Sequence, residues 1–101
     1  MKVSFEFLTL FRQRFGADHL ELEVPGEPSS GGAPTVLAAL QALQSAQAGR
    51  GVRLLEGERM PGGLLVFLKN PGGGLTRVLR PAEARIAQGQ SVVLSAAMGG
   101  G

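Results

Sequence analysis

The chain of 101 residues has no cysteine, which excludes disulfides, thiolate metal sites and cysteine nucleophiles. The absence says nothing about compartment. Histidine occurs once, at His19, so an imidazole-based metal site or catalytic pair has no second member. Charge is sparse too: charged residues make up 18%, and ten Lys and Arg against eight Asp and Glu leave a net charge of +2. So small and evenly spread an excess argues against direct nucleic-acid binding. No apolar run approaches the ~18 residues of a membrane-spanning helix. The opening MKVSFEFLTLF alternates and lacks a small-residue cleavage site, so it does not read as a signal peptide. No Gly-x-x-x-x-Gly-Lys-Ser/Thr motif is present, so the chain is not expected to bind nucleotide itself. A soluble cytoplasmic protein is the expectation.

What the chain does have is 44% hydrophobic residues, enough for one domain with a modest core. Its 16 glycines are not periodic; they gather in loops and at the C-terminus. In KVSFEFLTLF, Val3, Phe5, Phe7 and Thr9 share one side and Ser4 and Glu6 the other, which predicts a strand over residues 2–9. RQRFGAD then turns the chain, with Gly16 as its positive-φ residue. HLELEV alternates again, with Leu20, Leu22 and Val24 opposite His19, Glu21 and Glu23. The two segments read as an antiparallel pair with one apolar face.

After the loop PGEPSSGGAP, Thr35 stands as an N-cap and Val36, Leu37, Leu40 and Leu43 recur at helical spacing. Gly49 is placed as the residue just past the helix end. A short strand is expected near Val52–Leu55, a buried strand over 64–70, a turn at PGGG, and an edge strand in LTRVLRP stopped by Pro81. Gly89 marks a tight turn before the last strand, SVVLSAA. The predicted class is α+β: a hairpin, a helix across its apolar face, and later strands completing a mixed sheet. Element order alone is compatible with several folds of this class.

Several stretches carry a family likeness. LFRQRFGAD and PTVLAALQAL resemble the basic turn and the helix start of molybdopterin-synthase small subunits. LLEGERMPGGLLVFLKN looks like the ubiquitin-related modifier that thiolates transfer RNA. AQGQSVVLSAAMGGG resembles the closing segment of both: a Gly turn, a Val-rich strand, small residues and Gly-Gly. The chain thus resembles the ubiquitin-like sulfur-carrier group, which also includes the thiamine sulfur carrier. The resemblance implies a β-grasp fold with its first and last strands parallel in mid-sheet, a domain over residues 1–97 and a flexible tail over 98–101. It implies a protein co-substrate rather than an enzyme. The carboxyl of Gly101 would be adenylated by an ATP-dependent activating enzyme, then converted to a thiocarboxylate or joined to a lysine. No cofactor or metal would be bound by the chain itself. Implied partners are the adenylating enzyme and either a molybdopterin-synthase large subunit or a thiouridylase, with no direct nucleic acid and no membrane.

The residues fit that chemistry. Gly99, Gly100 and Gly101 carry no side chain to block a narrow channel and adopt backbone conformations closed to other residues. At ~3.3 Å per extended residue, Ala97 to Gly101 reach about 16 Å beyond the sheet. The resemblance thus implies Met98, Gly99 and Gly100 as tail-recognition residues and Gly101 as the reacting one. Met98, Phe67 and the Leu8/Leu10 side are candidates for an exposed apolar patch that docks a partner. Phe67 could equally be core; period 2 puts it with Leu65 and Lys69, opposite Leu64, Val66 and Leu68, and the Lys69 side suggests partial exposure. Arg77, Arg80 and Arg85 could add a basic rim. Lys2 and Lys69 are the only lysines, and either a solvated strand end or self-attachment is open to Lys69. A rival reading, a plain interaction domain that ignores its tail, uses the same surface.

Overall fold

The computed structural model describes residues 1–8, 10–26, 31–47, 54–55 and 63–96. The first strand, β1 (Lys2–Phe7), buries Val3, Phe5 and Phe7 and leaves Ser4 and Glu6 half-buried on its other face. It ends two residues earlier than the alternation predicts. In place of a simple turn, the chain forms a helix, α1 (Leu10–Phe15). The reason is aromatic: Phe11 and Phe15 lie four residues apart, on one helical face, and both are buried. The Phe15 ring stacks on Phe7 at 4.3 Å and lies 6.1 Å from Phe11. Gly16, at φ 69°, ends this helix, with its N–H donating to the Arg12 carbonyl at 3.1 Å. Leu10 accordingly opens α1 instead of extending the strand face.

The second strand, β2 (His19–Glu23), pairs antiparallel with β1. Leu20 and Leu22 turn inward, Val24 is fully buried just beyond, and His19, Glu21 and Glu23 are exposed, as the alternation predicts. Gly26 faces the Gly32 backbone so closely that a Cβ there would stand 2.1 Å from the Gly32 carbonyl oxygen.

The main helix, α2 (Val36–Ala46), begins where Thr35 predicts: its hydroxyl accepts from the Ala38 N–H at 3.0 Å. The Val36 and Leu37 N–H groups donate to the Ala84 and Pro81 carbonyls at 2.8 and 3.0 Å, so the loop after β4 closes the helix start. Val36, Leu37, Ala39, Leu40 and Leu43 form its buried stripe. Its C-cap is Gln47; Gly49 lies outside the described residues. Leu54 and Leu55 are buried but belong to no strand; the rest of the expected 52–55 strand lies outside the described residues. Both of their N–H groups donate to Gln44 Oε1, at 2.6 and 2.9 Å.

Three strands complete the sheet: β3 (Leu64–Lys69), β4 (Leu75–Arg77) and β5 (Ser91–Ala96). The order is β2-β1-β5-β3-β4. β1 and β5 run parallel at its centre, and every other pairing is antiparallel. β4 is the short edge strand expected before Pro81, and Gly89 turns at φ 91°. α2 supplies one wall of a core whose other wall is the inner sheet face, including Val3, Phe5, Val66, Val92 and Leu94. A hairpin, a crossing helix and a parallel central pair make this the β-grasp arrangement.

Candidate functional site

The last described strand, β5, ends at Ala96. β5 is held on both sides, by β1 from Ser91 to Leu94 and by β3 from Ser91 to Ala96. Because β1 is parallel to it and β3 antiparallel, β5 ends on the side of the sheet where β1 stops and β3 starts. Leu8 N–H donates to the Leu94 carbonyl at 2.9 Å, and Leu64 stands opposite Ala96. Ala96, the last described residue, therefore lies between the ends of the two flanking strands. Met98, Gly99, Gly100 and Gly101 lie outside the described residues.

The outer sheet face beside this end of β5 is partly apolar. Phe67 is half-buried there, opposite Val93 on β5 and Arg77 on β4. Period 2 thus places it as predicted, with Leu65 and Lys69 and away from the core residues Leu64, Val66 and Leu68. Leu8 is 37% exposed, just past β1. The register carries Leu8 to one flank of Ser95 and Leu65 to the other, with Val93 and Phe67 in the adjoining row. The structure therefore brings Phe67 and Leu8 to the same face, with Ser95 between Leu8 and Leu65. Val93 was missed by sequence reasoning. It is only 3% exposed yet points away from the core, because SVVLSA sets it between Val92 and Leu94 in period 2. That alternation was the available signal, masked by three apolar residues in a row.

Charge frames the strip. Lys69 Nζ reaches across β5 to Glu6, at 3.3 Å from Oε2 and 3.4 Å from Oε1, and flanks Val93. The amine of Lys69 is thus engaged in an ion pair, which weakens its case as an attachment point. Arg77, Arg80 and Arg85 are all exposed, and Arg80 lies 3.4 Å from Glu83. His19 is exposed at the far edge, opposite Glu6 in register. At the other end of β2, the Met1 ammonium sits 2.7 Å from Glu23 Oε2. Its hydrogen bond and its charge hold the Glu23 carboxyl below the usual carboxylate range, with Lys2 adding a smaller attraction.

Among the described residues no group of three or more His, Asp or Glu is placed to hold a metal, and no helix is long and apolar enough to cross a membrane. An open hollow between the end of β2 and α2 is lined by Pro25, Gly26, Ala38, Gln41, Ala42 and Ser45. None of these side chains titrates, so the hollow offers no acid–base chemistry.

No protein-family model and no curated protein sequence matches the chain. Solved structures do. SAMP1 from Haloferax volcanii superposes with a TM-score of 0.71 at 18% identity, over 100% of both chains. The Haloferax volcanii HVO 2177 protein gives 0.68 at 20% identity, over 100% of this chain and 87% of that one. A chain of the Amycolatopsis orientalis BexX/CysO complex gives 0.59 at 23% identity, over 98% and 99%. The fold is the ubiquitin-like β-grasp. SAMP1 is a ubiquitin-like small archaeal modifier, and BexX/CysO is a sulfur-carrier complex. At identities this low, the likeness establishes the fold and leaves activity to be argued from the chain's own residues.

Proposed function

We propose that this chain is a sulfur carrier or ubiquitin-like modifier, a protein co-substrate whose Gly101 carboxyl is the reacting group. The observation that carries this reading is the placement of β5. β5, the central strand of the sheet, is bonded on both sides up to its last residues and is followed in sequence by Ala97–Gly101. The likeness of the fold to SAMP1 and to a chain of the BexX/CysO complex supports the same class.

The chemistry needs a partner, since a carboxylate is a poor electrophile. A Gly101 carboxylate oxygen attacks the α-phosphorus of ATP in an adenylating enzyme, and pyrophosphate leaves. The acyl adenylate is then attacked at its carbonyl carbon by a sulfide-equivalent donor, and AMP leaves, giving a thiocarboxylate. If a lysine amine attacks instead, an amide forms. Gly99 and Gly100 provide clearance in the partner's channel, Met98 contributes to tail recognition, and Phe67 and Leu8 dock the body beside it. ATP is the partner's substrate. Two destinations for the sulfur remain open: a molybdopterin-synthase large subunit and a thiouridylase that modifies transfer RNA. The chain itself is not an enzyme in this reading, and it acts in the cytoplasm.

The test is intact-protein mass spectrometry after incubation with an adenylating enzyme, ATP and a sulfur donor. The expected result is a gain equal to exchanging one oxygen for sulfur, located in the C-terminal peptide and lost on deletion of Gly101. No gain in the intact chain would sink the proposal. The half-exposed strip through Leu8, Leu65 and Phe67 also suits a plain β-grasp interaction domain. Fusion of a small tag after Gly101 separates the two: a binding domain keeps its partner and its function, whereas a carrier loses sulfur transfer.

A further inference from the structure

Among the described residues, β2 and β4 are the two edges of the sheet, and they carry opposite charge. On β2, the Phe7 N–H bond to the Asp18 carbonyl and the Val24 N–H bond to the Met1 carbonyl fix which residues bond inward. By alternation, the backbone N–H and C=O of His19, Glu21 and Glu23 point away from β1. On β4, the Val78 N–H bond to the Val66 carbonyl and the Asn70 N–H bond to the Gly74 carbonyl do the same, leaving those of Leu75 and Arg77 pointing away from β3. One edge thus presents Glu21 and Glu23 with outward backbone groups, and the other presents Arg77. Beside Arg77 stand Leu75, 56% exposed, and Leu79, 70% exposed, two of the three most exposed large hydrophobics among the described residues.

Strand direction completes the match. Following the pairings across the sheet, β2 and β4 run antiparallel to one another. A second copy shifted along the sheet, turned only by the sheet's own twist, therefore sets its β2 antiparallel beside this β4 with both helices on the same side. Side chains that share the outer face then pair in register: Glu21 opposite Arg77 and Glu23 opposite Leu75. Symmetric pairings do worse. Two β2 edges would bring Glu21 and Glu23 together, and two β4 edges would bring the arginines together, each unfavourable across strands.

We infer that copies of this chain associate head to tail, β4 of one beside β2 of the next, through an Arg77–Glu21 cross-strand pair and the main-chain groups around it. Such a contact does not close on itself, so it yields short open chains of copies. β4 has only three residues, so the contact is small and dissociates on dilution.

Sedimentation velocity of the full chain over a wide concentration range, at low and high salt, tests this. The weight-average mass is expected to rise with concentration at low salt and to fall back when salt is added. R77E and E21R, both at exposed positions and checked for folding by circular dichroism, are each expected to weaken association at least ~5-fold, as an attractive cross-strand pair becomes a repulsive one. An equimolar mixture of the two variants is expected to recover it, because each brings the charge the other has lost. A mass that stays monomeric at every concentration would overturn the inference, as would association that both single variants retain or that mixing fails to restore. A synthetic peptide of residues 18–25 supplies the last arm. If it shifts the NMR signals of β4 while the full chain stays monomeric, the edge takes an acidic strand from another protein and the self-association is refuted.

Discussion

Gln44 is the side chain whose loss should be felt most out of proportion to its size. Its Oε1 accepts from the backbone N–H groups of Leu54 and Leu55, at 2.6 and 2.9 Å, and those residues are 0% and 4% exposed. Gln44→Leu keeps the bulk and removes the acceptor, leaving two donors that water reaches poorly. Each unsatisfied buried donor costs about 1–3 kcal/mol, so a loss of roughly 2–4 kcal/mol follows after partial relaxation. That is a large share of the ~5–15 kcal/mol stability usual for a domain. Gln44→Glu keeps an acceptor oxygen in place and should retain most of the stability near neutral pH. The assay is urea unfolding of both variants followed by circular dichroism, compared at unchanged m-value. A change below about 0.5 kcal/mol in Gln44→Leu, the range of an ordinary surface substitution, would refute the assignment of Gln44 as the anchor of this segment. Equal losses in both variants would show that shape, not the acceptor oxygen, is what matters.

Phe15→Ala removes the ring that stacks on Phe7 and should cost ~3–5 kcal/mol, with the amides of α1 losing hydrogen-exchange protection first. Gly26→Ala forces a Cβ to within 2.1 Å of the Gly32 carbonyl oxygen unless the backbone moves, so thermal unfolding should show a loss of about 1–3 kcal/mol. Glu23, whose carboxyl is held low by the Met1 ammonium, contributes stability that is present above the ordinary carboxylate pKa and is lost as pH falls through the lowered folded value. An extension placed before Met1 removes that ammonium, and an NMR titration of the Glu23 side chain should then move upward toward the ordinary range.

Much of the fold was readable from periodicity because the sheet is buried on one face only. Val3, Phe5 and Phe7 alternate with Ser4 and Glu6, and Leu20 and Leu22 with Glu21 and Glu23, because each strand presents one face to the core and one outward. Thr35 was readable as a cap for a local reason: its hydroxyl reaches an N–H three residues on. α1 was not readable in the same way. Leu8, Leu10 and Phe11 extend an apolar run that fits a strand as well as a helix, and only the Phe7 ring, placed by β1, makes the Phe11/Phe15 spacing the better arrangement. Gln44 carried no signal at all, since its partners are backbone groups ten and eleven residues away.

The candidate site divides along the same line. Period 2 placed Phe67 on the face opposite Val66, and the residue types of Gly99–Gly101 suggested an unobstructed tail; both are local properties of the chain. That Leu8, Leu65, Val93 and Phe67 share one face, and that this face borders the C-terminal end of β5, depends on strand order. So does the opposition of an acidic edge at β2 and a basic edge at β4. The sequence by itself determined which face each side chain takes, because alternation and helical spacing act over a few residues. Only the tertiary structure decided which strands lie side by side, because register between β1, β5 and β3 is set by hydrogen bonds between segments more than twenty positions apart.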